Sequence, residues 1–235
     1  MSTKLRRDFI KAAVPLVLAV SPWSQPGYAG GLPQKDEDED MSPTEDLMRE
    51  HGVIRRSFLV YEHLAGQLHS GAAINLKALE QTAELMRQFG ERYHEHSEEV
   101  GIFPVMKKAG RLVAKVNTLL DQHQRGREIN AYFLAISKSG ALSSQHKQEL
   151  SQQLLNFSRM YAHHAAREDT ILFPALRQVL GLAKLKELGD KFEDDEQRIL
   201  GKEGFEHGVA RIGEIELMLG MADLAKFTAP PAPKI

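Results

Sequence analysis

Residues 94–104 read HEHSEEVGIFP, and residues 164–174 read HAAREDTILFP. The two segments share a histidine, a glutamate four residues later and a Phe-Pro pair, each displaced along the chain by 70 residues. Two lone histidines, His51 and His123, are 72 residues apart, and one precedes each segment. The spacing predicts that a pair of helices has been duplicated, and that each copy supplies a lone histidine and a His-x-x-x-Glu motif.

The histidine and the glutamate of each motif share one helical face, because residues i and i+4 are about 6 Å apart along the axis. In the second segment this face continues an apolar stripe, made of Leu150, Leu154, Phe157, Tyr161, Ile171 and Ala175. Imidazoles and carboxylates in an apolar core are strongly destabilising unless something compensates them. Two cations between opposing carboxylates and histidines would do so. The alternative is a set of buried histidines with ordinary ion-pair partners.

The apolar periodicity predicts helix from Thr44 onward, and no alternating stretch favours a strand. We expect four long helices, at residues 45–69, 76–108, 111–137 and 144–180. Asn75 is a predicted N-cap, and a glycine follows the end of each helix. The short connections favour an all-α fold, an up-down antiparallel four-helix bundle at residues 44–180.

A helical extension is predicted beyond the bundle, at residues 181–228. It consists of two amphipathic segments, 182–200 and 207–226. These segments could cover a face of the bundle, form a homodimer or dock a partner, and the sequence leaves all three open. Residues 229–235 include three prolines and are predicted to be a disordered tail.

Residues 1–29 are predicted to be an export signal. A basic start is followed by an apolar stretch at 12–20, about half the ~20 residues that a membrane-spanning helix requires. The segment RRDFIK at 6–11 resembles the bacterial twin-arginine signature, so we expect periplasmic export and no membrane insertion after cleavage. A general secretory signal with two chance arginines is the alternative. Residues 30–43, which contain the run DEDED, are a predicted acidic linker.

The composition narrows the classes of function and of metal site. The formal net charge is −2, and such a mildly acidic chain argues against nucleic acid as a partner. The sequence contains no cysteine, which excludes disulfides, thiolate zinc sites and iron–sulfur clusters. Any bound metal must therefore be held by nitrogen and oxygen.

On these motifs the sequence resembles the hemerythrin family, including the bacterial HHE cation-binding domains, over about residues 44–180. The resemblance rests on both copies of His-x-x-x-Glu followed by Phe-Pro. It implies two non-haem iron ions, bridged by carboxylates and by an oxo or hydroxo group. Glu98 and Glu168 would be the bridging carboxylates. By matching positions, the implied ligands are His51, His94, Glu98, His123, His164 and Glu168.

One position departs from the oxygen-carrying members of this family. They have a second histidine one turn after the ligand on the third helix, where this chain has Arg127, which cannot ligate. Glu95 is a candidate seventh ligand, because the same His-Glu-x-x-Glu arrangement occurs in the hemerythrin-like domain of the F-box iron-sensing protein. The alternative is that Glu95 is a surface residue.

The resemblance implies a protein that binds dioxygen or a related small molecule, for sensing, storage or delivery. A di-iron redox enzyme, acting as an oxidase or on peroxide or nitric oxide, is the alternative that Arg127 favours. No catalytic residue is assigned, and a redox partner stays open. A ferritin-like site is not expected, because Glu-x-x-His is needed twice and occurs at the relevant place only once, at Glu91–His94.

The export prediction is tested by replacing Arg6→Lys together with Arg7→Lys. Twin-arginine recognition depends on both arginines, so the double variant should remain in the cytoplasm as the uncleaved precursor. Cell fractionation followed by immunoblotting measures this directly. Normal export of the double variant would instead indicate the general secretory route.

Overall fold

The computed structural model describes residues 41–233 of the 235-residue chain. The predicted signal peptide and nearly all of the predicted acidic linker lie outside the described residues. Within 41–233 the regular structure is entirely helical, as the sequence predicts. The helices of this part are too short or too polar to cross a lipid bilayer. From Ser42 onward the described chain forms one compact unit.

The described residues contain six helices, which we number in chain order. They are α1 (Pro43–His69), α2 (76–108), α3 (Val113–Ser137), α4 (144–180), α5 (182–199) and α6 (Gly204–Met218). A kink at Gly181, with φ 70° and ψ 170°, separates α4 from α5. This backbone conformation is accessible to glycine at little cost, which explains why the fourth predicted helix ends there.

Several helix boundaries differ from the predicted ones, including the start of α6, which lies at Gly204 and not at residue 207. Ser42 forms a capping box with Glu45, and α1 therefore begins at Pro43. The left-handed φ of 53° at Leu112 delays the start of α3 to Val113. The predicted segment 207–226 is wrong as one helix: α6 ends at Met218, a turn at Gly220 follows, and a short 3₁₀ helix occupies Leu224–Phe227.

Both motif-bearing helices widen into π-helical turns at the motif glutamates, Glu98 and Glu168. The wide turns occupy Glu98–Ile102 in α2 and Glu168–Leu172 in α4, and α2 has another at Met86–Glu95. The N–H of the motif phenylalanine reaches the glutamate carbonyl five residues earlier in both copies. The proline that follows has no N–H and crowds the carbonyl four residues before it, so a wider turn relieves the conflict.

The wide turn in α4 makes one residue of the predicted apolar stripe wrong. Ile171 is 39% exposed, whereas Leu172 is completely buried. A π-helical turn inserts an extra residue into the helical repeat, and every following side chain is rotated away from its α-helical direction. Strict 3.6-residue periodicity therefore selected the wrong neighbour as the core residue.

Hydrogen bonds between helices show which of them run antiparallel. Ser158 and Ser151 of α4 donate to the carbonyls of Phe58 and Ala65 in α1, at 3.3 and 3.1 Å, so rising numbers on one helix meet falling numbers on the other. Asn130 of α3 donates to the carbonyl of Ala83 in α2 at 3.0 Å. Together with the contact between Glu98 and His123, this pairing makes α2 and α3 antiparallel.

Two apolar clusters fill the core above and below one polar layer. The larger contains Phe58, Phe133 and Phe157, and the smaller contains Phe103 and Phe173. On α1 the polar layer falls between Leu47 of the smaller cluster and Val53 of the larger one. The charged side chains of this layer are therefore enclosed by apolar side chains along the helix axes.

The C-terminal helices cover α1 and α2. The ring of Phe192 on α5 lies so close to Gly101 that a Cβ there would be 2.6 Å from it. Gly208 of α6 is placed against the ring of Phe89, and Arg56 of α1 donates to Glu216 of α6 at 2.8 Å. The sequence leaves three roles open for this extension. These contacts support one of them, the covering of a face of the helical core.

A matched pair of glycine substitutions tests this packing. Gly101→Ala should destabilise the fold by about 1–3 kcal/mol, because the methyl group overlaps the Phe192 ring. Gly66→Ala is the control: it lies within α1 with nothing near the position of a Cβ, and should stabilise by roughly 0.5–1 kcal/mol. Urea unfolding followed by circular dichroism measures both. Equal effects of the two substitutions would contradict the packing of α5.

Candidate metal centre

The structure brings the six implied ligands together in the polar layer. Each of the six side chains is at most 3% exposed. The rings of His51 and His94 are paired with centroids 4.7 Å apart, and those of His123 and His164 with centroids 4.8 Å apart. The lone histidine of each copy therefore lies beside the motif histidine of the same copy.

The two glutamates face both histidine pairs. Glu98 has Oε1 at 3.8 Å from Nε2 of His94 and Oε2 at 3.5 Å from Nε2 of His123. Glu168 has Oε1 at 2.9 Å from Nε2 of His164 and Oε2 at 3.5 Å from Nε2 of His51. Each carboxylate thus directs one oxygen at each pair, which is the arrangement that a bridge between two cations requires.

The carboxylate oxygens at the centre of the layer lack hydrogen bonds. All four oxygens of Glu98 and Glu168 are buried without a hydrogen-bond partner among the described residues, although histidine nitrogens lie 2.9–3.8 Å from them. Nε2 of His123 is also 3.1 Å from Nε2 of His164. Buried carboxylate oxygens without partners are strongly destabilising. Cations would compensate them, and the nitrogen and oxygen donors fit iron or a similar transition metal.

A carboxylate orients each lone histidine. Nδ1 of His51 is 2.6 Å from Oδ1 of Asp169, and Nδ1 of His123 is 2.9 Å from Oε1 of Glu99. A carboxylate accepts, so Nδ1 carries a proton, and Nε2 points into the centre, where it can bind a cation once its own proton has left. Both acids directly follow a motif glutamate in the sequence.

The motif histidines are oriented in the same way from the opposite side. Nδ1 of His94 is 2.8 Å from Oε2 of Glu50, and Nδ1 of His164 is 2.9 Å from Oε1 of Gln122. Glu50 and Gln122 each directly precede a lone histidine. The duplication therefore repeats the orienting acceptors as well as the ligands, with an amide in one copy where the other has an acid.

Arg127 forms ion pairs with two carboxylates near the cluster, a role that its position in place of a family histidine did not suggest. It pairs with Glu99 at 2.6 Å and with Glu95 at 2.8 Å, while Arg55 pairs with Asp169. Both arginines come four residues after a lone histidine, at the same 72-residue offset. Sequence reasoning missed these side chains, although the repeat that identified the ligands also relates Arg55 to Arg127 and Glu99 to Asp169.

Glu95 is an inward-facing residue, and the surface alternative is wrong. It is 2% exposed, accepts a hydrogen bond from the Tyr161 hydroxyl at 2.6 Å, and lies within ligand distance of His123. Its equivalent in the second copy is Ala165. A Cβ at Gly126 would be only 1.8 Å from the Tyr161 hydroxyl, so this glycine makes room for the Tyr161–Glu95 pair.

The metal-free cluster holds protons strongly. Burial, together with the nearby Glu168 carboxylate, raises the pKa of Glu98 to about 8. Burial alone would lower the pKa of His51, but the carboxylates of Asp169 and Glu168 raise it to about 9. Burial would also lower the pKa of His123, but the carboxylates of Glu95, Glu98 and Glu99 outweigh it. The pKa of His123 is therefore raised to about 10. Protons occupy positions that cations can take over.

A small cavity adjoins the cluster on the side of Glu95 and Tyr161. Its volume is about 10 Å³, which is room for roughly one water-sized molecule. Ile54, Met86 and Ala165 form its apolar wall, and all four candidate histidines border it. The cavity therefore has room for about one water molecule next to the ligands and is too small for larger compounds.

The chain belongs to the hemerythrin family. The family model described as the hemerythrin HHE cation binding domain matches residues 42–176, and a second match covers 115–204. The first match contains all seven candidate ligands. Membership therefore supports a cation-binding protein with histidine and glutamate clusters that are able to hold metal.

Similar proteins occur in mycobacteria. An uncharacterized protein of Mycobacterium tuberculosis is 36% identical over 220 residues, covering 92% of this chain and 86% of its own length. An uncharacterized protein of Mycobacterium bovis matches to the same extent. No solved structure gives a significant match. A match over 92% of the chain extends beyond the bundle, so the relatives share most of the C-terminal extension.

The orienting carboxylates are tested by Asp169→Asn and Glu99→Gln. Each change keeps the shape and removes the charge that directs a lone histidine, and we expect metal affinity to fall about 10–100-fold. Glu62→Gln, on the exposed surface of α1, is the matched control and should have no effect. Competition with a chromophoric chelator measures the affinity. Unchanged affinity in both variants would show that these contacts do not hold the ligands.

Proposed function

We propose that this chain is an exported, non-haem di-iron protein that binds dioxygen or a related small molecule. The helices α1 to α4 would form the up-down antiparallel four-helix bundle of the family, with α5 and α6 as two additional helices. The observation that carries the proposal is the set of four buried, unpartnered carboxylate oxygens between two pairs of inward-facing histidine nitrogens.

The chain offers a separate donor set for each of two ions. His51 and His94 would hold one iron, His123 and His164 would hold the other, and the two bridging glutamates would contribute one oxygen to each. Glu95 lies on the side of the second pair and would be its additional ligand. Bound iron would supply the electrons and the coordination position that a molecule such as dioxygen requires.

The surrounding residues would control access and proton position. Ile54, Met86 and Ala165 exclude bulk water from the cavity by burial. The Tyr161 hydroxyl donates a hydrogen bond to Glu95. Burial, together with the Glu95 carboxylate, raises the pKa of this hydroxyl well above its usual value. The tyrosine therefore keeps its proton, and its hydrogen bond holds the Glu95 carboxylate in place beside the cavity.

A di-iron redox enzyme acting on peroxide or nitric oxide, or as an oxidase, is the second candidate. Its support is the acidic character around the second histidine pair, where Arg127 stands in place of the additional histidine of the oxygen carriers and pairs with Glu95 and Glu99. Steady-state assays with peroxide and nitric oxide separate the two functions, because a carrier binds stoichiometrically and stops. Periplasmic delivery rests on the twin-arginine signature at residues 6–11 alone.

The ligand set is tested with His164→Ala, Glu168→Ala and His96→Ala. The first two remove donors from the cluster and should abolish stoichiometric iron, whereas His96 belongs to none of the candidate metal groups and should leave two ions per chain. Elemental analysis after anaerobic reconstitution with ferrous salt gives the ratio. Air exposure should then produce near-ultraviolet absorption bands that disappear on reduction. Equal iron in all three variants would defeat the assignment.

A further inference from the structure

The duplicated helix pairs present two equivalent outer faces, and within residues 41–233 other helices cover only the first of them. The face formed by α1 and α2 lies beneath α5 and α6, through Gly101 with Phe192 and Arg56 with Glu216. The equivalent face lies between α3 and α4. There the two helices enclose an open groove of about 1020 Å³. The repeat therefore leaves one approach to the polar layer accessible from solvent.

The lining of this groove is basic. Lys115 lies on α3, and Arg159, His163 and Arg167 lie on α4, while no carboxylate lines the groove in the described part of the chain. The three α4 residues are spaced four apart and form a row about 12 Å long on one helical face. Lys115 and Arg159 have no ion-pair partner among residues 41–233, so their charges are available to an incoming anion.

The groove reaches the candidate metal centre through a single hydrogen bond. Gln122 lines the groove, is partly exposed and accepts from Nδ1 of His164 at 2.9 Å. The equivalent acceptor in the other half is Glu50, a buried carboxylate on the covered side. The neutral amide of Gln122 therefore lies where the basic groove meets the site. It carries no negative charge that would repel an acidic ligand.

We propose that this groove docks the acidic surface of a partner protein, which would thereby come within one hydrogen bond of His164. This inference adds a partner to the proposed function. The docking itself does not require bound iron, but its biological use rests on the proposed function. The positive charges of Lys115, Arg159 and Arg167 along an open groove match several carboxylates on an extended surface, and complementary charge accelerates such an encounter. A symmetric dimer through this face would place one basic row against another, which disfavours a second copy of this chain.

The test uses the full mature chain and a fluorescein-labelled decaglutamate peptide as the probe. The metal-free protein should bind the peptide saturably at low salt, and binding should weaken as ionic strength rises. Lys115→Glu with Arg159→Glu should lower the affinity at least tenfold. Lys184→Glu with Lys202→Glu, two exposed positions outside the groove with the same charge change, should lower it less than twofold. Fluorescence anisotropy measures all three proteins.

The site of binding is checked on the same samples by nuclear magnetic resonance. The side-chain amide signals of Gln122 should shift when the peptide binds to the parent protein. Equal loss of affinity in both double variants, or no shift at Gln122, would overturn the proposal. Binding to vesicles containing phosphatidylserine without binding to the peptide would overturn it in favour of a membrane surface. Because the metal-free chain is used, failure to bind iron would leave this result unaffected.

Discussion

Two carboxylates and four imidazoles buried at one level of an apolar helical core are the constraint on which the rest of this molecule depends. Among the described residues, the oxygens of Glu98 and Glu168 receive no hydrogen bond and face histidine nitrogens at 2.9–3.8 Å. The apolar clusters above and below prevent these groups from reaching water. Orienting acceptors keep all four Nε2 atoms directed inward. Such a layer is stable when cations occupy it and is otherwise a strong local source of instability.

The symmetry of the duplication is broken in ways that bear on function. Glu95, Tyr161 and Gly126 form a polar pocket beside one histidine pair, whereas the equivalent of Glu95 in the other copy is Ala165. The C-terminal helices cover one outer face and leave the other open. A symmetric scaffold therefore carries two unequal half-sites, with the small cavity and the additional carboxylate on the same side. Under the proposed function, this inequality would allow one ion to be held firmly while a small molecule approaches the other.

Sequence reasoning could predict the helical class and the cluster of candidate ligands, because both leave periodic signals. The His-x-x-x-Glu repeat places donors on one face, and the structure gathers all of them. The π-helical turns could not be foreseen from 3.6-residue periodicity, so Ile171 was assigned to the core and Leu172 was not. The contacts of Arg127 were missed for another reason: they depend on Glu99, whose partners are set by packing between different helices.

The most direct test of this account is an anomalous-scattering map from a crystal of the iron-loaded protein, collected at the iron absorption edge. The account predicts two peaks roughly 3–4 Å apart. One should lie between His51 and His94, and the other between His123 and His164. A crystal that contains stoichiometric iron but shows its peaks away from these four histidines would contradict the central claim.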